Sequence, residues 1–377
     1  MTQILETSPL IARQERLAKA LQSAGLNALA LNPGPTLTYL TGLHFHLMER
    51  PTVFVFTAAG EAHIVLAELE AAKVSGLPYP LHASTYGEDP LTWRRVFQQA
   101  LKPLDLGQGS QIAVEPTQLR VLELRLLESA LVEAAFVDGG PLVASLRMIK
   151  DAAEIMAMRK AVDIAQKALQ ATLPSIRIGM TEKELAAELT LHLLRGGSES
   201  KLPFEPIVSS GPNSANPHAV PSDRKLQAGD LLVIDWGASY EGYLSDLTRT
   251  FAVGEVEPEF ARIAQIVLEA NAAGRQAASP EIPAGDVDTA ARGIIDRASY
   301  GQYFIHRTGH GLGMEGHEEP YIRKDNPQFL APGMTFTIEP GIYLPERGGV
   351  RIEDDVVITA TGCEVLSDLP RELIRVA

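Results

Sequence analysis

"LLVIDWGASYEGYLSDLTRTF", residues 231–251, places Asp235 at the end of an apolar run with the character of a buried strand, and a second acid, Asp246, on the return run. A turn centred on Tyr240 and Glu241 pairs Asp235 directly with Asp246. A turn centred on Glu241 and Gly242 pairs Asp235 with Thr248 and leaves Asp246 diagonal to it. In either register both carboxylates lie on one face, because side chains alternate along a strand and paired residues share a face. Two ionised carboxylates so close in a poorly solvated site repel strongly. A shared proton, a basic partner or a cation has to neutralise them. One such aspartate alone reads most simply as a turn or cap residue, so the rest of the chain decides.

Three further stretches bear on it. "HRTGHGLGMEGHEEP", residues 306–320, gathers His306, His310 and His317, three of the chain's nine histidines, among glycines that let the backbone bend or pack closely. "TFTIEPGIY" carries Glu339 at the end of an apolar strand, and "GGVRIEDDVVI" carries Glu353 between Ile352 and Asp354. Each acid alone is explained by a salt bridge or an edge-strand charge. Together, four carboxylates and one imidazole form a hard-ligand set suited to Mn²⁺, Co²⁺, Fe²⁺ or Zn²⁺. Two divalent cations balance the four negative charges.

The whole chain fits this direction. Its 377 residues suggest two domains or three small ones, and 45% hydrophobic with 21% charged residues is ordinary globular composition. A formal net charge of -14 without any Lys/Arg-rich run argues against a nucleic-acid partner. The single cysteine, Cys363, excludes an intramolecular disulfide and a thiolate zinc site, which fits a reducing cytoplasm. The N-terminal stretch lacks the apolar core of a signal peptide, and no run reaches the length of a membrane span. The expectation is a soluble, cytoplasmic protein.

The organisation is α/β, then α+β. Residues 9–24 read as an amphipathic helix, followed by the strand-like "NALAL" and the breaker cluster "NPGP". "TVFVFTA" and "AHIVLA" read as a hairpin, "IAVEP" as a further strand and "LRVLELRLLESAL" as a helix. The Gly-Gly-Pro in "DGGPLVASLRMIKDAAEI" punctuates a boundary near residue 145, giving domains 1–145 and 146–377. Beyond it, helices at 152–172, 181–195, 257–278 and 286–299 alternate with strand pairs, among them "MTFTIEPGIY" with "VRIEDDVVIT". Hairpins separated by helices point to α+β layers rather than a parallel sheet. The long segment 196–223, rich in Gly, Ser, Pro and Asn, is a candidate site loop.

The motifs "DWGASYEGYLSDLTRTF", "GHGLGMEGHEEP", "GMTFTIEPGIY" and "GGVRIEDDVVIT" resemble, in order, those of the pita-bread metallopeptidases, which include methionine aminopeptidase, aminopeptidase P and prolidase. The first 145 residues, with "NPGPTLTYLTGLHF", are more weakly similar to the creatinase-type N-terminal domain of prolidases and aminopeptidases P. The resemblance implies two divalent ions, Mn²⁺ first, on Asp235, Asp246, His310, Glu339 and Glu353, with Asp246 and Glu353 bridging. It implies Glu339 as general base, His317 as a donor to the tetrahedral intermediate, and His218 closing over the substrate. His306, Arg351 and Tyr243 fall in or beside the substrate pocket. Arg351 alternates with Glu353, and anchors a substrate carboxylate or orients that ligand; Tyr243 and Thr248 flank Asp246 as supports. The implied substrate is a small peptide with proline second, and the implied assembly a homodimer. The 14-residue gap from Glu339 to Glu353 and "GHGLGMEGHE" favour a prolidase over an aminopeptidase P acting on longer peptides. Two other readings are a metal-free creatinase-like amidinohydrolase and a non-catalytic binding module. The intact ligand set speaks against both.

Overall fold

The computed structural model describes residues 8–377. The chain divides into two compact units, one ending at Leu146 and one beginning at Arg147.

In the first unit, a six-stranded mixed sheet is built on the central strand Ala28–Leu31. That strand runs antiparallel to Val53–Thr57, the first arm of the expected hairpin with Ala62–Ala67, and parallel to Gln111–Val114. One face is covered by the helices Pro90–Leu101 and Val121–Ala130, which bury Phe97, Leu101 and Leu127 against Val53, Val55 and Val65. Trp93 of the first helix packs on Tyr86 with ring centroids 5.4 Å apart. The edge strand His82–Tyr86 is mostly exposed, and its sequence carries no apolar run to reveal it. Gly-Gly-Pro opens a helix, Gly140–Arg147, rather than a linker. The Asp138 carboxylate accepts the Gly140 N–H at 2.8 Å, and Pro141 sits in the first turn, where its missing N–H costs nothing.

In the second unit, both long N-terminal helices start on reciprocal caps. Asp151 and Glu154 cap Ala152–Thr172, and Thr181 and Glu184 cap Glu182–Arg195. These helices pack on a four-stranded sheet whose centre is Leu231–Trp236 paired with Leu247–Val253, burying Leu185, Leu189, Ile234 and Leu247 together. The Trp236 indole N–H donates to the Ala165 carbonyl at 2.8 Å. The helices Pro258–Ala277 and Ala284–Arg297 cover the other strands, burying Val267, Ala270 and Val287 against Ile342, Ile352, Phe336 and Ile338. Mainly antiparallel sheets between helix pairs make this an α+β unit, as expected from the sequence. Among the described residues no helix is long and apolar enough to cross a membrane.

Of the two registers open in the sequence, the structure takes the one that pairs Asp235 with Thr248. Glu241 (φ 50°) and Gly242 (φ 76°) both adopt positive φ, the geometry of a two-residue hairpin turn that follows strand twist. The C-terminal strand pair is less simple than a single hairpin. Thr335–Ile338 pairs with Asp354–Ile358 in one sheet, while Gly341–Leu344 pairs with Gly348–Arg351 in another. The ladder parts between them, and Glu339 and Glu353 sit at the break.

Candidate metal centre and active site

The break frees Glu339 and Glu353 from ladder pairing without leaving their backbones unsatisfied. The Glu339 N–H donates to the Thr308 carbonyl at 2.7 Å, and the Glu353 N–H to the Thr248 carbonyl at 3.1 Å. Glu353 is thereby stitched to the hairpin residue that faces Asp235. The Thr248 hydroxyl donates to Glu353 Oε2 at 2.7 Å and accepts from Arg351 Nε at 3.0 Å.

His310 arrives from the short strand Gly309–Gly311. A Cβ on Gly309 would lie 1.8 Å from the Thr337 carbonyl oxygen, and one on Gly311 would lie 2.3 Å from that of Glu319, so only glycine fits on either side of the histidine. The imidazole Nδ1 lies 3.2 Å from the Gly311 carbonyl, which can only accept. The proton therefore sits on Nδ1 and Nε2 presents its lone pair, 3.8 Å from Asp246 Oδ2 and 3.5 Å from Glu339 Oε1.

Asp246, His310 and Glu353 each offer one ligand atom within 4.8 Å of the others, and all three are buried. Asp235 completes the wall of acids. Its Oδ2 receives Arg351 at 2.6 Å, whereas its Oδ1 is buried without a hydrogen-bond partner. Burial, then the surrounding carboxylates, push Asp246 and Glu353 well above the usual range. Burial likewise raises Asp235 despite Arg351, and Glu339 to about 7. Burial, and then His317, holds His310 well below its ordinary value, so its ring is neutral. Two unit charges 5 Å apart repel by about 3 kcal/mol at an effective dielectric near 20, and four carboxylates multiply that cost. The orphaned Asp235 oxygen, the convergent ligand atoms and the oxygen-rich donor set all fit divalent cations.

A cavity of about 680 Å³ opens over this cluster and is lined by Asp235, Asp246, His310, Glu339 and Glu353. Four other sequence candidates, His218, His306, His317 and Arg351, line it too. His306 donates from Nδ1 to the Arg307 carbonyl at 2.7 Å, so its Nε2 accepts the Tyr343 hydroxyl at 2.8 Å. Burial holds His306 at about 4. His317 Nδ1 accepts from Arg307 at 3.2 Å, which leaves Nε2 as a donor, and burial and then Arg307 lower its pKa. Arg351 is buried and spends its donors on the protein itself: Asp235, Thr248, the Tyr343 hydroxyl at 3.0 Å and the Pro217 carbonyl at 3.3 Å. Tyr243 does not line the cavity; its hydroxyl donates to Glu154 at 2.6 Å in the helix Ala152–Thr172.

Sequence reasoning missed several contributors. Arg307 lines the cavity, with its guanidinium 4.3 Å from the Tyr321 ring centroid; its place beside His306 was the only signal. Tyr343 bridges His306 and Arg351, and Phe204 and Ile207 from the 196–223 segment add an apolar wall. Asp355 accepts the Asp246 N–H at 3.0 Å and fixes that residue from behind.

Residues 156–360 match the family described as metallopeptidase family M24, and residues 13–149 match the creatinase/prolidase N-terminal domain. The chain is 46% identical over 233 residues to a Xaa-Pro dipeptidase of Pyrococcus furiosus, covering 62% of this chain and 67% of that one. A prolidase structure from Thermococcus sibiricus superposes with a TM-score of 0.92 at 35% identity, over 98% of this chain and 100% of the other. The dipeptidase PepE structure from Mycobacterium ulcerans gives a TM-score of 0.89 at 37% identity, over 99% of each chain.

Proposed function

The chain belongs to metallopeptidase family M24, and from that premise we propose that it hydrolyses the bond between an N-terminal residue and proline in an Xaa-Pro dipeptide. The observation that carries this reading is the convergence of Asp235, Asp246, His310, Glu339 and Glu353 in one cavity. These five residues would hold the divalent ions that the oxygen-rich cluster fits. Bound there, the ions supply Lewis acidity toward the scissile carbonyl and toward water.

The chain's own residues do the rest. Glu339 takes a proton from water and delivers it to the proline nitrogen, which has no hydrogen of its own until the bond breaks. His317, neutral with Nε2–H free to donate, supports the oxyanion of the tetrahedral intermediate. His218 covers the substrate near the scissile bond, and His306 sits in the pocket wall against Tyr343. The engagement of Arg351 with Asp235 supports an orienting role for it rather than capture of a substrate carboxylate. Arg351 is best regarded as the counter-charge that aims the free Asp235 oxygen.

We assign Mn²⁺ as the first ion to test, the homodimer as the assembly and the cytoplasm as the compartment; the lone Cys363 is compatible with reducing surroundings. The deciding assay offers metal-stripped protein an Xaa-Pro dipeptide and a matched Xaa-Pro-Xaa tripeptide, with and without Mn²⁺. Cleavage of the dipeptide restored by Mn²⁺ is expected. Preference for the tripeptide makes the protein an aminopeptidase P, and no cleavage of either with any divalent ion overturns the peptidase reading.

A further inference from the structure

One buried carboxylate lies outside the metal site yet is satisfied entirely by the loop that reaches it. Glu182, first residue of the helix Glu182–Arg195, is 0% exposed. Its Oε1 accepts the Ser210 N–H at 2.7 Å and the Ser210 hydroxyl at 2.9 Å. Its Oε2 accepts the Ser222 N–H at 3.0 Å and the Ser222 hydroxyl at 2.6 Å. The Asn213 amide reaches both oxygens, at 3.1 and 3.0 Å. Ser210 and Ser222 are the two stems of the segment 211–221, so one carboxylate ties the entrance of that segment to its exit.

The helix start reinforces the exit stem, since the Glu182 N–H donates to the Arg224 carbonyl at 3.1 Å and the Lys183 N–H to the Ser222 carbonyl at 3.2 Å. The segment's far end reaches the cavity, which Pro217 and His218 line. There the Pro217 carbonyl accepts from Arg351. Between the two ends the buried Ser214 hydroxyl accepts the Gly349 N–H at 2.9 Å, and the Ala219 N–H donates to the Asn216 carbonyl at 3.2 Å. At His218 itself the N–H donates to Asn216 Oδ1 at 3.1 Å, and the side chain is exposed. The closed stems act with these contacts in setting the position of His218 over the cavity, and they are the anchor where the segment enters and leaves.

We propose that Glu182 is a positioning residue for His218: its carboxylate clamps the stems of segment 211–221 and so fixes the imidazole at the cavity mouth. This rests on the peptidase reading above. A carboxylate suits the task because it only accepts, and every group it meets here is a donor. Glu182→Gln replaces one acceptor with an NH₂ facing donors and opens the clamp while nearly conserving volume.

The test is a double-variant cycle on the Mn²⁺-loaded enzyme with an Xaa-Pro dipeptide, using Glu182→Gln, His218→Ala and the pair. Glu182→Gln is expected to lower kcat/KM about tenfold when His218 is present and less than about twofold when it is absent. A second readout is independent of activity: thermolysin should cut the segment 211–221 faster in Glu182→Gln, at the His218–Ala219 bond, since Pro221 protects the bond before Val220. Losses that multiply in the double variant, a His218→Ala enzyme as active as wild type, or an unchanged cutting rate each overturn the proposal. Should Glu182→Gln fail to fold, Asn213→Ala removes only the amide's bonds and is read the same way, with a smaller drop expected. Wild-type protein inactive on every Xaa-Pro peptide refutes the peptidase reading, while the thermolysin comparison still decides whether the clamp exists.

Discussion

Glu353, Asp354 and Asp355 are consecutive and all buried, yet Asp354 and its neighbours live in opposite electrostatic worlds. Asp354 points away from the cavity and is fully answered: Arg249 at 2.8 Å, Arg371 at 2.7 Å, the Ser367 hydroxyl at 2.7 Å and the Asn271 amide at 3.1 Å. Burial pulls its pKa up, but the two guanidinium groups outweigh burial and hold it at about 2. Glu353 faces the cavity with a single hydroxyl donor, and burial with neighbouring acids drives it up. Glu318 repeats the Asp354 pattern: burial opposes ionisation, and Lys150 and Arg147, both at 2.6 Å, overcome it. A buried acid surrounded by donors is holding the fold together. A buried acid surrounded by other acids is held ready for something outside the chain.

The contrast breaks most visibly in catalysis. Glu339→Gln is expected to lower kcat by about 10²–10⁴-fold, the range for loss of a general base. Removal of a cavity acid should leave the urea midpoint of metal-stripped protein unchanged or raised, because it relieves repulsion. A midpoint that falls sharply would place Glu339 with the structural acids.

Asp354→Ala should do the reverse, destabilising the protein by about 3–5 kcal/mol in urea unfolding because Arg249 is left buried and uncompensated. Activity per folded molecule falls far less than in the Glu339 variant. The pH dependence sharpens the comparison further. The folded pKa of Glu318 is depressed, so its contribution is complete above the unfolded value of about 4.3 and is lost as pH falls through the lower folded value. Melting temperature followed from pH 7 toward acid should therefore drop less steeply in Glu318→Gln than in wild type, from a lower starting point. Parallel curves would remove Glu318 from the acid-labile set. The smallest effect belongs to Tyr243→Phe, which loses one hydrogen bond to Glu154 and about 1 kcal/mol of stability. Its kcat/KM should stay within about twofold of wild type; a large rise in KM would return Tyr243 to the substrate pocket.

Much of the site was legible because acids at the ends of apolar runs violate the strand pattern, and Asp235, Glu339 and Glu353 each did so. His310 was legible through its flanking glycines. Tyr243 misled because proximity to Asp246 in sequence says nothing about which face of an irregular two-residue strand it takes; it turned toward a helix more than eighty residues earlier in the chain. Arg307, Tyr343 and Asp355 act through partners brought in by tertiary packing, and no local pattern distinguishes them from ordinary strand and loop residues. The same holds for the sheet break at Glu339 and Glu353. A continuous hairpin and two half-ladders share one apolar periodicity, and only the bridge from Glu353 to Thr248 separates them.

Trp236 follows Asp235 directly, and its indole is anchored to Ala165, while the chain's other tryptophan, Trp93, packs at a tilt on Tyr86 in the first unit. Nature has thus distributed one fluorophore to each unit. In Trp93→Phe, all indole emission comes from the unit that carries the acid-lined cavity, and in Trp236→Phe all of it comes from the other. Red shifts recorded for the two variants along one denaturant gradient would give each unit its own unfolding curve, without dyes, tags or truncation.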